Sequence, residues 1–249
     1  MRAVGRGAGK GIAIAGCFLA LTACSSDGDP ISAKPEPSTT ANTPSSKDTT
    51  TVAPMPKDKE LARSAVLDVS DLPDDWRLDP DSELVDDPQA VDQEAIDMNR
   101  QRFSCLDGDA AMIYAPQLVN GAVKYFIGPH EAFLISEVVL ATEDEVETLL
   151  TSLASEEGQA CWKQIMVVPG EEEPIVTRRR DLTSRSDRMV AYRVAMPSTI
   201  GEEVFVNYRD VLFARKGRAF VAVQALDSGK PLPDELTVSM LNKVLDRLP

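Results

Sequence analysis

The chain holds 249 residues, with 40 Asp and Glu against 26 Lys and Arg and a formal charge of −14. So acidic a surface lacks the positive footprint that nucleic acid or an anionic bilayer surface requires, which excludes both as charge-driven partners. The length leaves room for one domain with its own core once the low-complexity N-terminal part is set aside.

Arg2, Arg6 and Lys10 are the only charged residues before position 24, and they precede an apolar run from Gly11 to Ala23. About 13 apolar residues fall short of the ~18–20 that a membrane-spanning helix needs, so the pattern reads as a secretory signal. The run closes in Leu21-Thr22-Ala23-Cys24, with Ser25-Ser26 following. This stretch resembles the lipobox of bacterial lipoproteins. The resemblance implies cleavage before Cys24 and a diacylglyceryl group on its sulfur, with palmitate-type lipidation. It also implies a place on the extracytoplasmic face of the cell membrane. Two acyl chains anchor stably where one is marginal. An ordinary signal peptide cut near Ala23, with Cys24 incidental, is the other reading. Loss of residues 1–23 removes three cations and no acids, so the remaining chain carries −17.

Residues 24–57 are Ser, Thr, Pro, Ala and Lys with scattered Asp, including Pro30, Pro35, Pro37, Pro44, Pro54 and Pro56. Such a stretch has too little apolar surface to offset the entropy of ordering, and its prolines stiffen it locally. It reads as a disordered tether from the lipidated Cys24 to an extracytoplasmic domain over 58–249.

In that domain Leu61, Ala65 and Val66 line one face of a short helix. Ser70, Asp71 and Pro73 supply turn chemistry ahead of Trp76. The acidic stretch 79–99 reads as irregular and exposed, with a short helix at 89–98. Phe103 to Met112 places Cys105 in a small apolar patch. Residues 124–127 and 132–141 form a strand pair around Gly128-Pro129. The second of these is nearly continuous apolar from Phe133 to Leu140, as in a strand buried on both sides. Thr142 and Glu145 have capping-box spacing. The helix they open carries Val146, Leu149, Leu150, Leu153 and Ala154 on one stripe, which two further turns extend to Ala160 and Cys161. Strands are then expected over 175–180, 189–196, 203–214 and 219–226, with Arg215-Lys216-Gly217-Arg218 as a hairpin turn. In the second of them Val190, Tyr192, Val194 and Met196 share a face opposite Arg193. Leu236, Met240, Leu241, Val244, Leu245 and Leu248 mark a C-terminal helix. The predicted fold is α+β, an antiparallel sheet of about five or six strands backed by helices.

Beyond the lipobox only Cys105 and Cys161 remain, and in an exported protein two cysteines read most simply as one disulfide. The helical stripe points Cys161 at the core, where a partner would have to lie. Two free thiols or a metal pair are the alternatives. With one histidine and no CxxC spacing, the metal reading has few ligands to draw on.

The turn "DLP-x-x-W" at Asp71 to Trp76 resembles the opening of many actinobacterial lipoproteins, which usually have Gly where this chain has Asp75. The order that follows is a cysteine patch, a strand, a helix ending in Cys, further strands and a terminal helix. It is similar to the extracellular sensor-type domains of mycobacterial serine/threonine kinases and related lipoproteins, a fold close to the PsbP/Mog1 group. That resemblance implies an antiparallel sheet backed by helices with a ligand-binding cleft, and no catalytic residues. The kinase sensor domains carry two disulfides, whereas this chain can form one.

Individual side chains point to little chemistry. His130 follows Gly128-Pro129 and reads as a surface turn histidine rather than a general base. No GxSxG motif is present. Asp107-Gly108-Asp109 reads as a turn, since a calcium loop needs more oxygen ligands in fixed order. A carboxylate pair for glycoside hydrolysis is not singled out among so many acids. Arg178-Arg179-Arg180, with Arg185, Arg188 and Arg193, is the one basic concentration. Arg178 and Arg180 share a strand face, and they are candidate contacts for an anionic ligand or partners for the acidic surface. Trp76 and Trp162 read as packing residues, with Trp162 also a candidate ligand contact. The expectation is a non-enzymatic, membrane-anchored, ligand-binding or accessory, sensor-like module without cofactor or metal. Its partner would be a lipid, a cell-wall fragment or a protein. A wall-acting hydrolase with paired carboxylates and a structural spacer are the alternatives.

Overall fold

The computed structural model describes residues 57–80, 82, 93–109, 111–114, 120–167, 172–200 and 203–249. All of these fall in one compact unit, Val52–Pro249. The signal segment, Cys24 and the tether up to residue 56 lie outside the described residues. No helix among the described residues is long and apolar enough to cross a membrane.

The strands are β1 (Arg77–Leu78), β2 (Gly121–Ile127), β3 (Phe133–Leu140), β4 (Ile175–Arg179), β5 (Arg188–Ile200), β6 (Glu203–Lys216) and β7 (Ala219–Ser228). They form one sheet in the order β1-β2-β3-β7-β6-β5-β4, with every neighbouring pair antiparallel. The helices are α1 (Lys57–Ala65), α2 (Gln93–Arg102), α3 (Ala111–Tyr114), α4 (Glu143–Ala154), α5 (Glu156–Ile165) and α6 (Asp234–Leu245). The α+β class and the antiparallel sheet are therefore as expected. The strand number is not: the sheet has seven strands, beyond the five or six anticipated. The addition is β1, whose two residues, paired with Ile127 and Phe126, are too few to show a period.

Two apolar clusters sandwich the sheet. On one face Ala62, Ala65, Met240, Leu241 and Val244 of α1 and α6 pack on Phe126, Leu134, Val138, Leu212 and Val223. On the other, Val146, Leu149, Leu150, Leu153 and Trp162 of α4 and α5 pack on Val139, Val190, Tyr192, Phe213 and Phe220. Strand alternation explains the division, because successive side chains point to opposite faces. Both clusters lie within the single unit, which makes it self-contained.

Local chemistry sets the boundaries. Thr142 caps α4: its Oγ1 accepts from the Glu145 amide at 3.3 Å, while Glu145 Oε2 accepts from the Thr142 amide at 2.8 Å. The helix expected to continue through Cys161 instead breaks at Ser155, which is extended (φ −77, ψ 170) and caps α5 through the Gly158 amide at 2.9 Å. A serine in mid-stripe is a better cap than helix interior. A Cβ on Gly158 would stand 2.0 Å from the Ser152 carbonyl oxygen, so only glycine permits so tight a corner. The described helix in the acidic stretch is Gln93–Arg102, which ends four residues beyond the expected 98, while 89–92 lie outside the described residues.

Strand β5 runs on through Pro197 to Ile200. Its outer neighbour β4 stops at the Ile175–Ala195 pair, and proline is tolerated where a strand edge is open. Past Met196, β5 and β6 continue as a two-stranded arm, paired from Pro197–Val206 to Ile200–Glu203, on which Val204 is 63% exposed. At the sheet's other end Gly217 takes φ 54 in the two-residue β6–β7 turn, where glycine alone is unstrained. The "DLP-x-x-W" stretch follows on from a 3-10 turn, Val69–Asp71, and closes in a second turn, where the Trp76 amide donates to the Pro73 carbonyl at 3.0 Å and Trp76 enters the core. The Trp76 ring lies where a Cβ on Gly128 would be, at 2.7 Å.

Candidate functional site

Helices α4 and α5 cover only part of their face of the sheet. The uncovered part carries Tyr125 and Ile127 of β2, Phe133 and Ile135 of β3, Leu226 of β7 and Arg209 of β6, all half-buried. Register places Ile127, Phe133, Leu226 and Arg209 directly across from one another in one row. Tyr125 stacks on Phe133 with ring centroids 5.9 Å apart.

Along the edge of this surface runs a polar diagonal. Glu137 on β3, Gln224 on β7 and Arg209 on β6 step across three adjacent strands. Arg209 donates from Nη2 to Gln224 Oε1 at 2.6 Å, and its Nη1 approaches Met166 Sδ at 3.8 Å. Gln224 in turn hydrogen-bonds the Glu137 side chain. Glu137 is 4% exposed, and its Oε2 has no hydrogen-bond partner. Burial pushes its carboxyl well above the usual carboxylate range, opposed by the Arg209 charge and the Gln224 bond. Burial, then Glu137 and Asp79, push the Tyr125 hydroxyl up as well. Both shifts favour the protonated, donating form. An unsatisfied buried polar atom costs about 1–3 kcal/mol, and such violations gather at functional sites.

Sequence reasoning missed this diagonal, yet it left a signal. Glu137 is the one charged residue in the run Phe133–Leu140, itself read as doubly buried. Burial on both faces does hold over most of that strand.

The residues singled out in the sequence fall elsewhere. Cys105 and Cys161 form a disulfide with Cα atoms 5.7 Å apart. Cys161 is buried at 3% exposure, as the stripe required, although the stripe is carried by two helices. Trp162 is fully buried between Phe103 and Phe213, with centroids at 6.0 and 5.5 Å, and offers no surface to a ligand. Arg178 donates to the Ala154 carbonyl at the end of α4. Arg180 is exposed just beyond β4. Arg179, between them, faces the other way and grips Asp181 and Asp234 at 2.7 and 2.6 Å. Arg193 holds Asp210 at 2.7 Å and Asp234 at 2.8 Å, and Arg188 pairs with Glu147. Most of the basic concentration is thus engaged with carboxylates or carbonyls. Arg179 above all draws the Asp181 carboxyl down to about 2.

His130 is exposed in the Pro129–Glu131 turn with φ 55. Trp76 is 4% exposed and packs in the α1–α6 cluster. Gly108 takes φ 96, and the neighbouring Asp107 amide donates to Ser152 Oγ at 2.8 Å, which makes Asp107-Gly108-Asp109 a turn docked on α4. Beside it an open groove of about 540 Å³ runs along α4, walled by Cys105, Asp107, Asp144, Glu147, Thr151 and Glu157. Among the described residues no group of three or more His, Cys, Asp or Glu is arranged to hold a metal. No protein-family model matches the chain, and no curated protein is significantly similar to it.

Proposed function

We propose that the chain is a lipid-anchored extracytoplasmic module that binds a ligand on the uncovered part of its sheet, without catalysis. The lipobox at Leu21 to Cys24 and the Ser/Thr/Pro-rich tether support the anchor. A disulfide suits an exported chain. An antiparallel sheet backed by helices is compatible with the sensor-like, PsbP/Mog1-like resemblance. The observation that carries the binding role is Glu137, buried with an unpartnered oxygen beside half-buried apolar side chains.

The hydrolase reading draws on the groove along α4. There Glu147 is engaged by Arg188 and lies 3.6 Å from Arg215, which makes it a structural partner rather than one of a free carboxylate pair.

Native mass spectrometry of the protein purified from a secreting bacterial host tests the proposal. A diacylglyceryl mass on Cys24, absent in Cys24→Ala, is expected, together with a further mass that leaves on denaturation. A chain that carries neither would overturn it.

A further inference from the structure

The row Ile127–Phe133–Leu226 ends at Arg209, and Arg209 is the last member of the Glu137–Gln224–Arg209 diagonal. An apolar strip therefore leads directly to a guanidinium. The strip crosses two gaps between strands, about 10 Å in all. Phe133 is its centre, with Ile127 and Leu226 on either side, and Ile135 and Tyr125 form the row beside it. At its head Arg209 spends Nη2 on the neutral oxygen of Gln224 and Nη1 on a thioether, so no carboxylate lies within ion-pair distance of it among the described residues. Glu137, whose carboxyl feels the Arg209 charge, offers Oε2 with no partner.

We infer that this surface binds a small amphiphile with a compact anionic head, a carboxylate or phosphate, and an apolar body about 10 Å long. The inference rests on the binding role proposed above and names the ligand class. The head meets Arg209, with Glu137 as a further donor, and the body lies along Leu226, Phe133 and Ile127, where Tyr125 stacks on Phe133. A protonated Glu137, which its burial favours, removes the repulsion that an ionised carboxylate would exert on such a head. Charge-assisted bonds from a guanidinium are the strong ones, so the head supplies selectivity while the strip supplies affinity for the body.

Calorimetric titration of residues 52–249 with octanoate, 1-octanol and acetate separates the parts. Octanoate is expected to bind at least tenfold tighter than 1-octanol, and acetate more weakly than either. Arg209→Met should remove the preference for octanoate and leave 1-octanol binding unchanged, while Arg209→Lys should retain part of it. Circular dichroism shows whether each variant is folded, and the head-group preference of the wild type decides the matter if Arg209→Met is not. Equal binding of octanoate and 1-octanol, or an Arg209→Met protein that keeps the preference, overturns the anionic head while the apolar strip stands as a site. No binding of either chain overturns the ligand class; a host-derived mass still present on the protein would then show that the broader binding role survives.

Discussion

Replacement of Glu137 by Gln tests the buried carboxyl itself. Glutamine has the same shape, keeps a side chain for Gln224 to bond and cannot ionise. The folded pKa of Glu137 is raised above the unfolded value of 4.5, with desolvation as the leading cause. Its share of stability is therefore whole below 4.5 and is lost as the pH rises from there through the folded pKa. Within that window the unfolded chain has released a proton that the fold still holds, and each pH unit costs about 1.4 kcal/mol. The Gln variant has no such loss. Urea unfolding of both proteins at unit steps from pH 4 to pH 7 should give near-equal stabilities at pH 4. From pH 5 upward a gap in favour of Gln should open by about 1.4 kcal/mol per unit until the pH reaches the folded pKa, and stay level beyond it. All other groups titrate alike in the two proteins and cancel. A gap that stays constant over this range would show that Glu137 is ionised in the fold, paired with Arg209 or hydrated, and the reasoning about a donating carboxyl would fail.

Three further changes probe the frame. Gly158→Ala should destabilise by about 2 kcal/mol or more on a thermal melt, although alanine ordinarily gains about 1 kcal/mol over glycine inside a helix, because its Cβ would meet the Ser152 carbonyl. Loss of the disulfide in Cys105→Ala/Cys161→Ala, which opens a link between residues 56 apart, should lower the unfolding free energy by up to about 4 kcal/mol in denaturant titration. Asp234 is held below its usual 3.8, first by its hydrogen bond from Arg179 and then by both arginine charges. Its contribution is present above 3.8 and lost as the pH falls through the folded pKa, so wild type and Asp234→Asn should differ in Tm at pH 6 and converge in strong acid.

Most of the frame was legible because its signals are periodic. The strands from Phe133 onward, the cap at Thr142 and the apolar face of α6 all rest on spacing along a single element. Two kinds of feature were not. Strand β1 and the break at Ser155 depend on one or two residues, where a period has no room to show. The diagonal depends on register between β3 and the β6–β7 hairpin, whose members Arg209 and Gln224 follow Glu137 by about 70 to 90 residues of chain and meet it only in the folded sheet. A glutamate inside an apolar run marks one corner of it. Nothing local marks Gln224 or Arg209 as its companions. The arginine run at 178–180, by contrast, was conspicuous in sequence and proves largely structural, since alternation sends Arg178 to a helix end and Arg179 to a carboxylate pair.

The position of α1 fixes where the described chain enters the domain. Asp58, at the start of that helix, is paired with Arg218 at the β6–β7 turn, on the opposite face of the sheet from the diagonal. From Gly217 in that turn back to Arg209 is eight residues of strand, about 26 Å. The described chain therefore starts behind the sheet and at the end remote from Arg209, so its entry point and the diagonal do not compete for the same face.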